Sequence, residues 1–369
     1  MLCIISWNSK KDNNFQQSQQ KMKVINFIYT YFATTMAMFT CLIPSACSSQ
    51  SQWKDWHFTG VAQGTTYHIT YYAKDNIVTQ KQIDSILNNI DSSLSIYKSY
   101  SLISQFNNSI SGIKMDEHLR LVVTRSLEIY KATEGISDIT IYPIVKAWGF
   151  GVDPVSNSPD SGYIKSILPC IGSDKIHIRN GWLIKDSSCI KLDVNGIAQG
   201  YSVDVIADFL EKKSIKNYLV EIGGELRIKG HKKPSKERMT VGIEGPAKNS
   251  FDKPVITKTM QFDKGAVTTS GVYRKYIQNG AKRFSHIMDP KTGYPVQNEL
   301  ISVTVWAKNA ITADGYDNAL LGMGLKKSLS FLKKHKEMEA YFIYSNSDGT
   351  ISDIATEGFY KMIKSKINK

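Results

Sequence analysis

Between residues 218 and 307 the chain runs through five short strand-like segments in succession, at 218–222, 226–229, 239–243, 255–262 and 301–307. β-Branched and aromatic residues fill them, and no helical spacing intervenes. Helical periodicity is confined to the flanks. Ile83, Ile86, Leu87, Ile90 and Leu94 recur at helical spacing. A second helix is expected over 116–133 with Leu119, Val122, Val123 and Tyr130 inward, a third from Gly196 and Gly200 to about Glu211, and a fourth over 310–321. Elements that come in runs rather than in strict alternation argue against a doubly wound parallel sheet and for an α+β fold. A strand is also expected at 65–72, an exposed loop at 152–163, and a hairpin turn at Asn346-Ser347-Asp348-Gly349 before a last strand.

The N-terminal segment bears on the compartment. Lys21, Met22 and Lys23 precede an uncharged, mostly apolar stretch over 24–43, followed by Pro44, Ser45, Ala46 and Cys47. A basic start, an apolar middle and small residues before a cut site describe an export signal over 22–46. Cys47 is then the acylated first residue of a lipoprotein, 47–55 a polar tether, and 56–365 the working domain. Residues 1–21 resemble no part of a signal, and Met22 is an alternative start. An uncleaved anchor is the other reading, since the stretch is near the spanning minimum of about 20 residues. Both readings place the body on the periplasmic side of the cell inner membrane, tethered to it. Cleavage before Cys47 leaves Cys170 and Cys189, which can pair in an oxidising compartment or stay as two buried thiols.

The formal charge is +13, and the first 46 residues hold only four lysines and one acid, so the basic excess belongs to the body. It favours anionic partners without choosing among them. No basic-aromatic module appears, and nucleic acid is not expected as a partner.

Six stretches can carry chemistry. Gln63-Gly64-Thr65-Thr66-Tyr67 lets backbone approach a ligand beside hydroxyls, although a turn before a strand explains it equally. Ser95-Ile96-Tyr97 with Ser101-Leu102-Ile103-Ser104 mixes hydroxyls with apolar residues, as a ring with a polar edge requires. In the stretch from Asp138-Ile139-Thr140 to Trp148-Gly149-Phe150-Gly151, an acid and a hydroxyl two apart share a face if extended. Asp193-Val194-Asn195-Gly196-Ile197-Ala198-Gln199-Gly200-Tyr201 opens a helix on glycines, leaving N–H groups that attract phosphate, and it is neither a Walker motif nor GxGxxG. Thr269-Ser270-Gly271 precedes Ser285-His286 and a proline-glycine turn. His286 is a candidate proton acceptor, and no GxSxG elbow supports a serine hydrolase. Asp314 and Asn318, four apart, share a helix face whose two oxygens, with a backbone carbonyl, suit Mg²⁺, although a solvent-facing acid and amide explain the spacing as well.

In this order the six stretches resemble the FAD:protein FMN transferase (ApbE-like flavin transferase) family over about 56–365. The resemblance implies a T-fold-like α+β architecture with an FAD site between sheet and helices. It implies FAD as substrate and Mg²⁺ as cofactor, with FMN passed to a threonine of a target protein through a phosphoester while AMP leaves. The implied targets carry an FMN-binding domain and belong to membrane redox pumps. By motif, Asp314, Asn318 and the carbonyl of Ala198 hold Mg²⁺. Gln63, Ser101, Leu102, Asp138, Ile139, Thr140, Tyr201 and Ser270 line the FAD site, and His286 and Asp314 are catalytic. The chain departs from the family at Gln63, where Met is usual, at Asn318, where Thr is usual, and at Asn195 and Gln199, where Gly and Lys are common. Two alternatives share the same residues: an FAD pyrophosphatase giving FMN and AMP, and a non-catalytic FAD-binding lipoprotein.

Overall fold

A computed structural model describes residues 52–152, 158–245, 255–272, 276–279 and 282–364, with only the backbone of 276–279, 282–284 and 364. The expected signal segment, Cys47 and most of the tether lie outside these residues. Among the described residues sixteen strands occur in chain order: β1 Lys54–Ala62, β2 Thr65–Ala73, β3 Gly112–Lys114, β4 Ile176–Arg179, β5 Trp182–Lys185, β6 Tyr218–Ile222, β7 Glu225–Lys229, β8 Met239–Gly245, β9 Val255–Phe262, β10 Lys264–Gly271, β11 Tyr276–Asn279, β12 Lys282–Ser285, β13 Leu300–Ala307, β14 Glu339–Ser345, β15 Ile351–Ala355 and β16 Ile363–Lys364. Eight form one sheet, ordered β1-β2-β6-β7-β10-β13-β14-β15. Every pair in it is antiparallel. A sheet built by hairpins and returns, with its long helices gathered on one face, is the α+β arrangement read from the sequence.

Two glycine turns set the register at one end of this sheet. Gln63 and Gly64 both take positive φ (54° and 74°) and pair Ala62 with Thr65, a two-residue hairpin loop whose twist matches its strands. Gly223 (φ 65°) and Gly224 (φ 108°) make the corresponding turn between β6 and β7. The helices Asn195–Lys212 and Ala310–Met323 lie on one face. Val203, Ile206 and Leu210 of the first bury against Tyr67, Ile69, Tyr218 and Val220. On the other face Leu226, Ile228, Val267 and Tyr341 pack with Met239, Ile243 and Met260 of β8 and β9.

The expected helix at 116–133 is Glu117–Ala132, and its N-cap Asp116 accepts from Leu119 N. Some boundaries differ from the sequence reading. Residues 54 and 55, expected in the tether, already belong to β1, paired with Ala73 and Tyr72. Part of the expected loop at 152–163 is helical, because Asp160 accepts from Tyr163 N and caps Ser161–Ile167. A short helix, Glu357–Met362, follows the last expected strand and buries Phe359. Cys170 and Cys189 form a disulfide with Cα atoms 5.5 Å apart, which decides between the two readings of these thiols.

Candidate active site

The helix Ala310–Met323 is the floor of the site. Asn309 caps it through Thr312 N, and Asp204, one helix away, accepts from Ala310 N (2.9 Å) and Ile311 N (2.8 Å). Asp204 is tied in turn to Arg227 of β7 at 2.8 Å. Burial pushes the Asp204 carboxyl up, against the pull of these amides and of Arg227. This brace fixes the axial position of Asp314 and Asn318, one turn apart on the helix.

Asp314 is buried, and its Oδ2 accepts from Gly200 N at 2.8 Å. Four residues before that amide, Gly196 leaves helical geometry (φ −82°, ψ 15°) and kinks the first turn of the Asn195–Lys212 helix. Gly200 has no room for a side chain. An added Cβ would stand 2.4 Å from Ala310 O and 2.6 Å from Asp314 Cβ. Burial pushes Asp314 up to about 7, with the Asp204 charge adding to it. Asp317, three residues on, is also buried and is raised well above the carboxylate range by burial and then by Asp314. Its Oδ1 has no hydrogen-bond partner among the described residues. Asn318 accepts from Ser270 Oγ at 2.6 Å.

These groups open on a cavity of about 440 Å³ at the glycine-turn end of the sheet. Its wall includes Gln63, Asp138, Ile139, Ser270, His286, Asp314 and Asn318 from the expected set, together with Asp193, Asn195, Gly196, Gly223 and Asp317. The Asn195–Lys212 helix begins there. Asn195 N donates to Asp193 Oδ1 (2.9 Å) and Ile197 N to Val194 O (3.0 Å), which leaves the Gly196 amide of the first turn to suit an anion. Gln63 Nε2 donates to Ser202 Oγ (2.7 Å), and its Oε1 is buried without a partner among the described residues. His286 stands edge-on to Phe150, with ring centroids 6.2 Å apart. Trp148 Nε1 donates to Gly293 O at 2.8 Å and pins the turn that follows the histidine.

The other expected site residues stand behind the wall. Ser101 is fully buried, caps the Leu102–Asn108 helix through Ser104 N and donates to Ser95 O. Leu102 packs against the main core. Thr140 donates to Asp138 Oδ1 (2.7 Å) and accepts from Gly172 N (2.7 Å), so acid and hydroxyl meet in a tight turn rather than along an extended face. Tyr201 Oη bonds His118 Nδ1 at 2.7 Å. The carbonyl of Ala198 accepts from Ser202 Oγ at 2.8 Å.

Three contributors escaped the sequence reading. Asp317 lies in a quoted stretch, and its i+3 spacing from Asp314 was the available signal. Asp204 and Ser173, which donates to Asp138 Oδ1 at 2.6 Å, act across 106 and 35 residues respectively, and no local pattern reveals them.

Among the described residues no group of three or more His, Cys, Asp or Glu is arranged to hold a metal. A cation here would therefore draw on amide and backbone oxygens beside carboxylates. The donor set fits a hard divalent ion. It is all oxygen, and two buried carboxylates, one with an unpartnered oxygen, carry a charge that such an ion would relieve.

The sequence profile of the ApbE family matches residues 63–342, the span from the Gln63 turn through the helix that carries Asp314. The chain belongs to the ApbE family. It is similar to the FAD:protein FMN transferase of Vibrio cholerae serotype O1, 32% identical over 321 residues, covering 85% of this chain and 94% of the relative. The enzyme of the same name from Haemophilus influenzae is 31% identical over 335 residues, covering 87% and 95%. Among solved structures, the flavin transferase ApbE from Vibrio cholerae superposes with a TM-score of 0.76 at 31% identity, covering 84% of this chain and 99% of that one. The apo flavinyl transferase ApbE of Pseudomonas stutzeri also gives 0.76, at 30% identity, covering 86% and 99%. The α+β fold expected from the resemblance is thus the fold of known ApbE structures.

Proposed function

We propose that this chain transfers FMN from FAD to a threonine of a target flavoprotein, with Mg²⁺ as cofactor and AMP as the other product. One observation carries the reading: a single cavity joins a buried oxygen-rich face (Asp314, Asp317, Asn318), a helix start that opens on Gly196 and a histidine. The names of its relatives in the ApbE family support the same reaction.

Asp314, Asn318 and the carbonyl of Ala198 would hold Mg²⁺, which when bound neutralises pyrophosphate charge and steadies the leaving AMP. The N–H group of Gly196 would bind a phosphate oxygen. Asp138, Ile139, Gln63 and Ser270 orient the dinucleotide, while Ser101, Leu102, Thr140 and Tyr201 hold those groups from behind. The acceptor oxygen bonds to the FMN-side phosphorus as that phosphorus loses its bridging oxygen, which departs on AMP. The hydroxyl proton passes to the imidazole of His286. Acyl anchoring at Cys47 places the enzyme on the periplasmic side of the inner membrane, where subunits of membrane redox pumps with an FMN-binding domain are its targets.

Incubation with FAD and Mg²⁺, with and without such a domain, tests this by mass spectrometry. The expected result is an FMN adduct on the acceptor threonine with an equal yield of AMP. Free FMN as the main product with acceptor present would make the chain a pyrophosphatase. FAD retained without AMP would make it a binding protein.

A further inference from the structure

The sheet has two unlike ends. At one lie the cavity and its glycine turns. The other end is traced by register: Lys54 opposite Ala73, Tyr71 opposite Tyr218, Tyr218 opposite Lys229, and Lys229 opposite Lys264. The chain enters the fold at this second end. The 230–238 loop folds over it, with His231 N donating to Asn217 Oδ1 and Lys233 Nζ standing 5.7 Å from the ring centre of Trp53. Trp53 is 40% exposed. Lys54, Lys74, Lys216, Lys232, Lys233 and Lys236 gather there, none of them in an ion pair among the described residues. The acids do not balance them. Asp263 is held by Arg238 and His231, and Asp55 by His57, which leaves Asp75 and Glu237.

We infer that this basic, tryptophan-bearing end is the face the protein lays on an anionic phospholipid surface. The inference rests on the reading of Cys47 as a lipid anchor. Five residues separate Cys47 from Trp53, a reach of at most about 20 Å when fully extended. A tether that short keeps the lysine end close to the headgroups, where clustered lysines gain attraction from anionic lipid. An indole held by a lysine suits the water–lipid boundary. The other lysine-rich element, the Leu325–Lys334 helix, leads into this same end at the start of β14, but six strands across the sheet from β1, and it has no such tether. Nine residues of β1 separate the two ends, so the cavity opens about 30 Å from the lysine end, on the side away from the bilayer. The acceptor threonine is then presented from the aqueous side, at that height.

The full acylated chain, reconstituted in vesicles of phosphatidylcholine alone or of phosphatidylethanolamine with phosphatidylglycerol, is treated with an impermeant amine reagent and read lysine by lysine in a mass spectrometer. On the anionic vesicles Lys54, Lys232, Lys233 and Lys236 should react about fivefold more slowly than on neutral ones, and Lys326, Lys327, Lys333 and Lys334 by less than about twofold. Raising salt from roughly 0.1 M to 0.5 M should erase the difference. Equal reactivity on both vesicles overturns the inference and leaves the patch to an acidic protein. Protection centred on the Leu325–Lys334 helix overturns it as well. If neutral vesicles do not retain the chain, the anchor reading fails and the inference falls with it. Flavin transfer, measured separately, is untouched by any of these results.

Discussion

Gly200→Ala isolates the contact between the two helices that build the site. The new Cβ would lie 2.4 Å from Ala310 O, 2.6 Å from Asp314 Cβ and 2.8 Å from Ala310 C. Ordinary contacts sit near 3.5 Å, so the helices must part by about 1 Å. Two of the three obstacles are backbone atoms, and no rotamer change relieves them. Overpacking of this kind costs about 1–3 kcal/mol, and alanine's better helix propensity offsets up to about 1 kcal/mol of it. The expected loss of Tm is on the order of 5 °C. Because the same shift carries Asp314 away from Gly200 N, transfer should slow about 100-fold even where the protein stays folded. Thermal denaturation and single-turnover flavinylation measure the two effects. Gly322→Ala on the same helix is the control. Its Cβ meets only Ile136 Cγ2, at 2.9 Å, a single methyl rather than backbone and away from Asp314, so the rate should hold and Tm should fall by less than in Gly200→Ala. Wild-type rate and Tm in Gly200→Ala would refute the packing argument.

Asp314→Ala should abolish transfer and most Mg²⁺ affinity by calorimetry, whereas His286→Ala should slow transfer about 10²–10⁴-fold while FAD binding persists. Equal loss of FAD binding in the histidine variant would remove it from the proton path. Removing the Cys170–Cys189 bridge, which closes a loop of sequence separation 19, should cost about 3 kcal/mol in denaturant unfolding. It should also weaken FAD binding, since Gly172 and Ser173 beside Cys170 hold Thr140 and Asp138. Asp314 and Asp317 are raised by burial, so the cation-free fold keeps protons that the unfolded chain releases. Stability without Mg²⁺ should therefore rise as pH falls from about 7 toward 4, and Mg²⁺ or Asp314→Asn should flatten that slope in thermal scans. The same slope in Asp314→Asn would place its origin elsewhere.

The parts of this molecule that are local in sequence were legible. The strand run at 218–307 and the periodicity at 83–94 and 116–133 yielded the α+β class, because alternation and helical spacing report which face is buried. Asp314 and Asn318 shared a helix face by spacing alone. The shape of the site was not legible, because it depends on contacts between distant segments. Nothing near Gly200 signals that its amide serves Asp314, 114 residues away. Nothing near Asp204 signals that it caps the helix beginning at Ala310. β1 was hidden for another reason. Its first two residues, Lys54 and Asp55, are both exposed and read as tether, because the half-buried face of the strand begins only at Trp56.

The central claim is that Asp314 and its neighbours bind a divalent ion on which handing FMN to an alcohol depends. A flavinylation reaction with FAD, an FMN-binding domain and wild-type or Asp314→Ala protein, titrated with Mg²⁺ and read by intact mass, measures it directly. The account predicts that the acceptor gains one FMN less one water with the wild-type protein, saturably in Mg²⁺, and gains nothing with the variant at any Mg²⁺ concentration. Equal modification by the two proteins with the same Mg²⁺ dependence would contradict it.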